Sequence, residues 1–310
     1  MLIFCRQHGL ATQKSGIAIM KSKTKLICGI SALIVGVAAS AQVATVKTAA
    51  QTSKVAALLN GASRALLAPT PMANPAAAAT PAVAALPPLD LSDMRMWNWN
   101  GKWLASEWDN VNGPIPWRYN HIVQKSGKDT VFTLDATGAP QLQGMNGTPA
   151  YTRGLWETEV TLPSLHEGVI VAPLWIYDTG SKDEIDFEFA GRRGLDVSMH
   201  VYVNGVHQQN TVRLFAGTDM SGQRHRFGIK IDETAGYVEM YVDGQRVHRW
   251  ERSSTTSFIS HPMKPWIEMW PTNPSNAGFV QWAGQWKGLA PNEKLTMTVH
   301  GYGYGYTTIP

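Results

Sequence analysis

The chain has 310 residues, with 27 Lys and Arg against 23 Asp and Glu, which gives a formal charge of +4 and a pI near 9.0. At 44% hydrophobic residues it is neither disordered throughout nor a multi-span membrane protein. The positive charge points to a polyanion or membrane-surface partner only until it is located: residues 1–89 hold eight basic groups and no acid, which leaves 19 against 23, or −4, in residues 90–310.

Residues 20–41 read as a secretory signal. Lys21, Lys23 and Lys25 form the basic start, 26–38 is apolar, and Ala39-Ser40-Ala41 is a small-x-small cleavage site that leaves Gln42 first. The apolar run of 13 residues is short of the roughly 20 that a spanning helix needs. An uncleaved anchor is the alternative. Residues 1–19 read as an extension ahead of Met20. Cys5 and Cys28 both precede the cleavage point, so the exported chain would carry no thiol. Residues 42–89 are rich in Ala, Pro, Thr and Val without one aromatic, and read as a linker. The expected location is secreted or periplasmic.

All 12 Trp lie between Trp97 and Trp286, so residues 90–310 form the folded domain. Period-two alternation predicts strands over 131–135, 155–162, 169–177, 184–190, 196–203, 225–231, 265–270 and 294–304. A hairpin is predicted where 236–242 and 245–250 flank Asp243-Gly244, since both turn residues tolerate positive φ. No long segment has the 3.6-residue period of a helix. Many short strands predict an all-β domain, a β-sandwich or jelly roll.

The chemistry concentrates in Glu184-Ile185-Asp186-Phe187-Glu188-Phe189. Alternation puts Glu184, Asp186 and Glu188 on one face and the three apolar residues on the other, toward a core. Three carboxylates at two-residue spacing repel one another unless one is protonated or a cation faces them. A solvated acidic strand or a cation site is the bland explanation. Catalysis is favoured over it. The Cα atoms of the two glutamates are about 13 Å apart along a strand. Inward-leaning side chains can close the carboxyl gap to the roughly 5–5.5 Å of retaining glycoside hydrolysis.

With this motif the chain resembles glycoside hydrolase family 16, whose signature Glu-x-Asp-x-Glu stands here without the extra residue of the bulged form. Gly154-Leu-Trp-Glu157, Tyr241-Val-Asp-Gly-Gln245 and Met269-Trp270 resemble further pieces of that family in the right order, from about Trp99 to Trp286. The resemblance implies a concanavalin A-like jelly roll with a concave sugar cleft. It also implies Glu184 as nucleophile, Asp186 as its helper and Glu188 as acid/base. The unbulged form is closer to the lichenase and xyloglucan branch. The chain departs from lichenases at Lys182, where they carry Trp, and at Glu268 and His200, where they carry cleft Asn.

Alternation adds candidate sugar-binding residues. Ser198, His200, Tyr202 and Asn204 share one face, as do Trp266, Glu268 and Trp270, and Trp175 with Tyr177. Aromatic faces stack on sugar C–H faces, and polar neighbours satisfy hydroxyls. The substrate-binding set expected is Trp175, Tyr177, His200, Tyr202, Glu268 and Trp270. A core role is the alternative for the aromatics.

Neither a nucleophile elbow nor a P-loop occurs, and the His residues lack metal-ligand spacing, so no metal and no cofactor are expected. A domain of charge −4 without a basic run argues against nucleic acid. The sequence thus predicts a secreted, monomeric, retaining endo-β-glycosidase acting on a β-glucan-type polysaccharide, mixed-linkage 1,3-1,4-glucan favoured, with no membrane span after cleavage. The competing readings are a xyloglucan- or exopolysaccharide-acting hydrolase or transglycosylase, and a non-catalytic sugar-binding sandwich.

Overall fold

The computed structural model describes residues 84–96, 101–125 and 128–305; the predicted signal and most of the predicted linker lie outside the described residues. Two sheets carry nearly all the regular structure. The first has eight strands. They are β1 (Met94–Arg95), β2 (Trp103–Ala105), β5 (Gln141–Gly144), β7 (Val169–Tyr177), β8 (Glu184–Ala190), β9 (Leu195–Val203), β10 (Val206–Leu214) and β14 (Lys264–Pro271). Their order is β1-β2-β5-β14-β7-β8-β9-β10. The second contains β3 (Ile122–Gln124), β4 (Thr130–Leu134), β6 (Gly154–Thr161), β11 (Arg224–Asp232), β12 (Tyr237–Val242), β13 (Gln245–Glu251) and β15 (Leu295–Gly305). Their order is β13-β12-β11-β6-β15-β4-β3. Only β1 and β2 pair in parallel among the described strands.

The sheets pack face to face through the apolar halves of alternating strands. Phe187 and Phe189 of β8 meet Phe227 of β11 edge-on, at centroid distances of 5.3 and 6.0 Å. Ile185, Phe187 and Phe189 are all buried in this core, so the other face of β8 is turned away from it. The jelly-roll sandwich read from the alternation is the architecture observed.

Three local features position that outer face. Asp243-Gly244 joins β12 to β13 with φ of 52° and 75°, as its sequence predicts. Asn204-Gly205 does the same between β9 and β10, with φ of 51° and 77°. Asn204 therefore belongs to a turn, not to the polar face of the strand assigned to it from alternation. Pro173 interrupts β7, which a proline in a central strand can do only at a bulge, because it has no N–H to give. The register shift lies there: Leu174 pairs with Phe187 and Val171 with Phe189, so Ala172 and Pro173 together face Glu188.

One short helix, α1 (Ala277–Ala283), follows β14; the Asn276 side chain caps it by accepting from the N–H groups of Gly278 and Phe279. No helix among the described residues is long and apolar enough to cross a membrane. Residues 84–89, counted with the linker by composition, are held against the second sheet: Tyr302 N donates to Pro87 O at 2.9 Å, and Leu89 is buried.

Candidate active site

The outer face of β8 carries Glu184, Asp186 and Glu188, as alternation requires, and its neighbours decide what each experiences. Glu184 pairs with Tyr177 on β7 and His200 on β9. Asp186 pairs with Trp175 and Ser198, and Glu188 with Asp196. The two glutamates are half-buried, whereas Asp186 is 1% exposed and neither of its oxygens makes a well-formed hydrogen bond to protein. His200 Nε2 stands 3.1 Å from Asp186 Oδ2, at ion-pair distance. One ligand-type atom from each of Glu184, Asp186 and His200 falls within 4.8 Å of the others.

Burial raises the Glu184 pKa to about 7, with the Asp186 charge adding to the rise and His200 opposing it. Glu188 is raised well above the usual carboxyl range by burial and then by the charges of Asp186, Glu184, Glu268 and Asp196. Asp196 is buried, and its charge is met by Arg213, which donates from Nε and Nη2 at 2.8 and 2.7 Å, and by the Trp282 indole N–H at 2.7 Å.

Trp175 and Tyr177 pack with Trp266 and Ala172 in a small apolar cluster separate from the main core. Trp175 and Trp266 have ring centroids 4.7 Å apart. Lys182, itself at φ 72°, brings its Nζ to 5.8 Å from the Tyr177 ring centroid. Tyr202 is exposed and lies against His207. Trp270, by contrast, is 6% exposed, joins the main hydrophobic cluster and meets Phe279 of α1 edge-on. Its ring is roofed by the helix, which alternation alone could not foresee.

Glu268 ends a chain of directed hydrogen bonds. Gln143 Nε2 donates to Ser106 Oγ (2.7 Å), Ser106 Oγ to Gln141 Oε1 (2.5 Å), and Gln141 Nε2 to Glu268 Oε2 (2.5 Å). Burial nevertheless raises the Glu268 pKa to about 8. The sequence reading missed β10, and with it His207 and Arg213. The signal was present: Asn-Gly between two alternating runs is a hairpin turn. Gln141, Ser106 and Trp282 had no such signal.

Residues 101–288 match the sequence profile of Glycosyl hydrolases family 16. A beta-glucanase of Acetivibrio thermocellus is 27% identical over 202 residues, which cover 62% of this chain and 56% of that protein. A beta-glucanase of Bacillus licheniformis is 26% identical over 193 residues, 61% of this chain and 73% of that one. The chain thus spans little more than half the length of the first of these relatives. A solved Bacillus licheniformis beta-glucanase superimposes with a TM-score of 0.53 at 22% identity, over 67% of this chain and 94% of that structure. With more than half of its residues inside the profile, the three-carboxylate strand among them, the chain belongs to glycosyl hydrolases family 16.

Proposed function

We propose that the chain is a secreted, retaining endo-β-glycosidase that cleaves a β-glucan-type polysaccharide by double displacement, with mixed-linkage 1,3-1,4-glucan as the favoured substrate. The observation that carries this reading is the pair of unequal glutamates flanking buried Asp186. Glu184, raised to about 7 by burial, has His200 opposite it, whose charge favours its carboxylate form. Glu188 lies opposite Asp196, and burial together with the charges of Asp186, Glu184, Glu268 and Asp196 favours its protonated form. A nucleophile and an acid are needed in those states at one pH.

In the first step a Glu184 oxygen attacks the anomeric carbon while the bond to the leaving oxygen breaks, and Glu188 gives that oxygen its proton. A glycosyl ester on Glu184 results. In the second step Glu188 takes a proton from water, the water oxygen attacks the same carbon, and Glu184 is released as carboxylate. Asp186 lies between the two glutamates, and its charge favours the protonated form of each. Tyr202 offers exposed aromatic surface to the sugar, Trp175 and Tyr177 only the small part of their rings left accessible (7% and 5% exposed), and His200 and Glu268 polar contacts. Trp270 acts from beneath, through Phe279.

The likeness to two beta-glucanases and the unbulged motif support the glucan assignment. The test is a reducing-sugar assay of the full chain on mixed-linkage glucan, laminarin, xyloglucan, agarose and bacterial exopolysaccharides. The first anomer released is read by proton NMR. Mixed-linkage glucan should be cleaved fastest, with the β-anomer appearing first, and Glu184→Gln should abolish cleavage of every substrate. Full activity of Glu184→Gln, or initial release of the α-anomer, would reject the assignment. Preference for xyloglucan or an exopolysaccharide would select the alternative substrate class. Binding without cleavage would select the non-catalytic one.

A further inference from the structure

His207 stands on the edge strand β10, exposed, opposite Tyr202 of β9. Its Nε2 is 2.9 Å from His200 Nδ1. The two imidazole planes differ by 5° with centroids 5.1 Å apart. At a bonding N···N distance, that separation describes rings side by side in one plane, joined edge to edge, rather than stacked face to face. The other nitrogen of His200 is the one 3.1 Å from Asp186. A line of contacts therefore runs from buried Asp186 through His200 to His207 and solvent, across three strands. The His207 ring is braced by Tyr202, at 4.9 Å and 22°.

Proton counting limits what this line can be. An N···N bond needs one hydrogen and one lone pair. A lone pair on His200 Nε2 would be repelled by a carboxylate oxygen 3.1 Å away, so that nitrogen carries a hydrogen although the contact is an ion pair and not a well-aligned hydrogen bond. If His207 Nε2 supplies the lone pair, His200 carries hydrogens on both nitrogens and is an imidazolium. If His207 Nε2 carries the hydrogen, His200 is neutral. The pair thus shares one extra proton, and titrates as a unit. The ionisable groups around it decide where that proton rests: Glu184 and Asp186 face His200 from β8, His207 faces it from β10, and Tyr202 lies beside it on β9. Both carboxylates draw the charge inward. Burial alone would lower His200, but Asp186 and Glu184 outweigh it and its pKa is raised; His207 is lowered by burial and by the charge on His200.

We propose that His207 is a positioning residue for glycoside cleavage: by accepting the Nδ1–H of His200 it holds His200 as an imidazolium against Asp186, in the charge state that lets Glu184 act as a carboxylate. The inference rests on the reading of Glu184 as nucleophile. It predicts a definite tautomer, His207 with hydrogen on Nδ1 and not on Nε2, that no purely structural role for an exposed edge residue would require.

The experiment compares the full-length wild type with His207→Phe and His207→Gln. The first keeps a ring against Tyr202 and removes the acceptor; the second returns an acceptor oxygen. Nitrogen-15 NMR of the imidazoles, without substrate, reports protonation and tautomer. In the wild type near neutral pH, both His200 nitrogens should be protonated and His207 should hold its proton on Nδ1. In His207→Phe the His200 midpoint should fall by about one pH unit, the tenfold equivalent of losing a hydrogen bond to a charged group. Since the imidazolium exists below its pKa and is lost above it, the alkaline fall of kcat/KM should move down by the same amount. KM should change less than about twofold, as for a group that acts on the chemical step. His207→Gln should restore both midpoints. A wild-type His207 protonated at Nε2, an unshifted His200 midpoint in His207→Phe, or a shifted midpoint with an unmoved rate profile would each overturn the proposal. Failure of the nucleophile assignment is seen separately, as activity in Glu184→Gln, and leaves the imidazole titration readable.

Discussion

Glu268→Gln tests whether burial governs the acids of this face. Glu268 is 7% exposed, and its Oε2 accepts from Gln141 while its surroundings raise its pKa from 4.5 to about 8. A carboxyl that holds its proton more tightly when folded destabilises the folded state as pH rises. The stabilising protonated form is fully present below the unfolded value of 4.5, and stability is lost progressively up to the folded value of about 8. At about 1.4 kcal/mol for each pH unit, the cost reaches up to about 5 kcal/mol at pH 8 and above. Glutamine is neutral at every pH, has the shape of the protonated acid, and can still accept from Gln141. The variant should melt with the wild type at pH 4.5 and progressively above it from pH 5 to 8. With about 2–4 °C for each kcal/mol in a domain of this size, the final gap is on the order of 10 °C. Thermal melts followed by circular dichroism across that range measure it. Two melting curves that run parallel from pH 4.5 to 8.5 would refute the claim that Glu268 is held neutral by burial.

Arg213→Ala leaves Asp196 buried with only the Trp282 N–H to meet it; chemical denaturation should show a loss of about 3 kcal/mol, the low end for a broken buried pair because Arg213 is about a third exposed. Gly191→Ala should be worse than Gly205→Ala, although both glycines have positive φ. A Cβ on Gly191 would lie 2.0 Å from the carbonyl oxygen of Ala283 in α1, whereas one on Gly205 meets nothing within 4 Å. Gly205→Ala should cost about 1 kcal/mol of backbone strain, and Gly191→Ala about 3 kcal/mol or more as the helix is pushed off the end of β8; equal melting temperatures would contradict this.

The legible parts of the chain are those where one residue type recurs at a fixed period. β8 runs over 184–190, as alternation predicts, because its apolar face can be buried in only one register, while β7 over 169–177 is legible as a continuous apolar run buried on both faces. β2 and β5, at three and four residues, offer too few alternations to register. The seven residues of α1 are too few to establish a 3.6-residue period, although Asn276 marks its start. β10 shows another kind of failure: its exposed and half-buried residues, His207 to Arg213, carry little hydrophobic contrast, so the Asn-Gly turn was the only clue. Trp266 and Trp270 share a face by alternation, yet only Trp266 joins the outer cluster with Trp175 and Tyr177. The difference comes from α1, a tertiary contact that a single strand cannot encode.

The same dependence on neighbours explains how one strand distinguishes two identical side chains. Within β8, Glu184 and Glu188 are equivalent, each two residues from Asp186 and each backed by the same core. Their partners on β9 differ. Glu184 faces His200, whose charge favours the carboxylate; Glu188 faces Asp196, another acid. Asp196 in turn needs Arg213 and Trp282, so that its own charge does not make the Glu188 end untenable. β10 serves both ends, with His207 behind His200 and Arg213 behind Asp196. On the proposed assignment, the acid and the nucleophile are told apart by the two strands that follow the motif. Exchanging the motif alone into another sandwich would carry over three carboxylates without the asymmetry that makes them unequal.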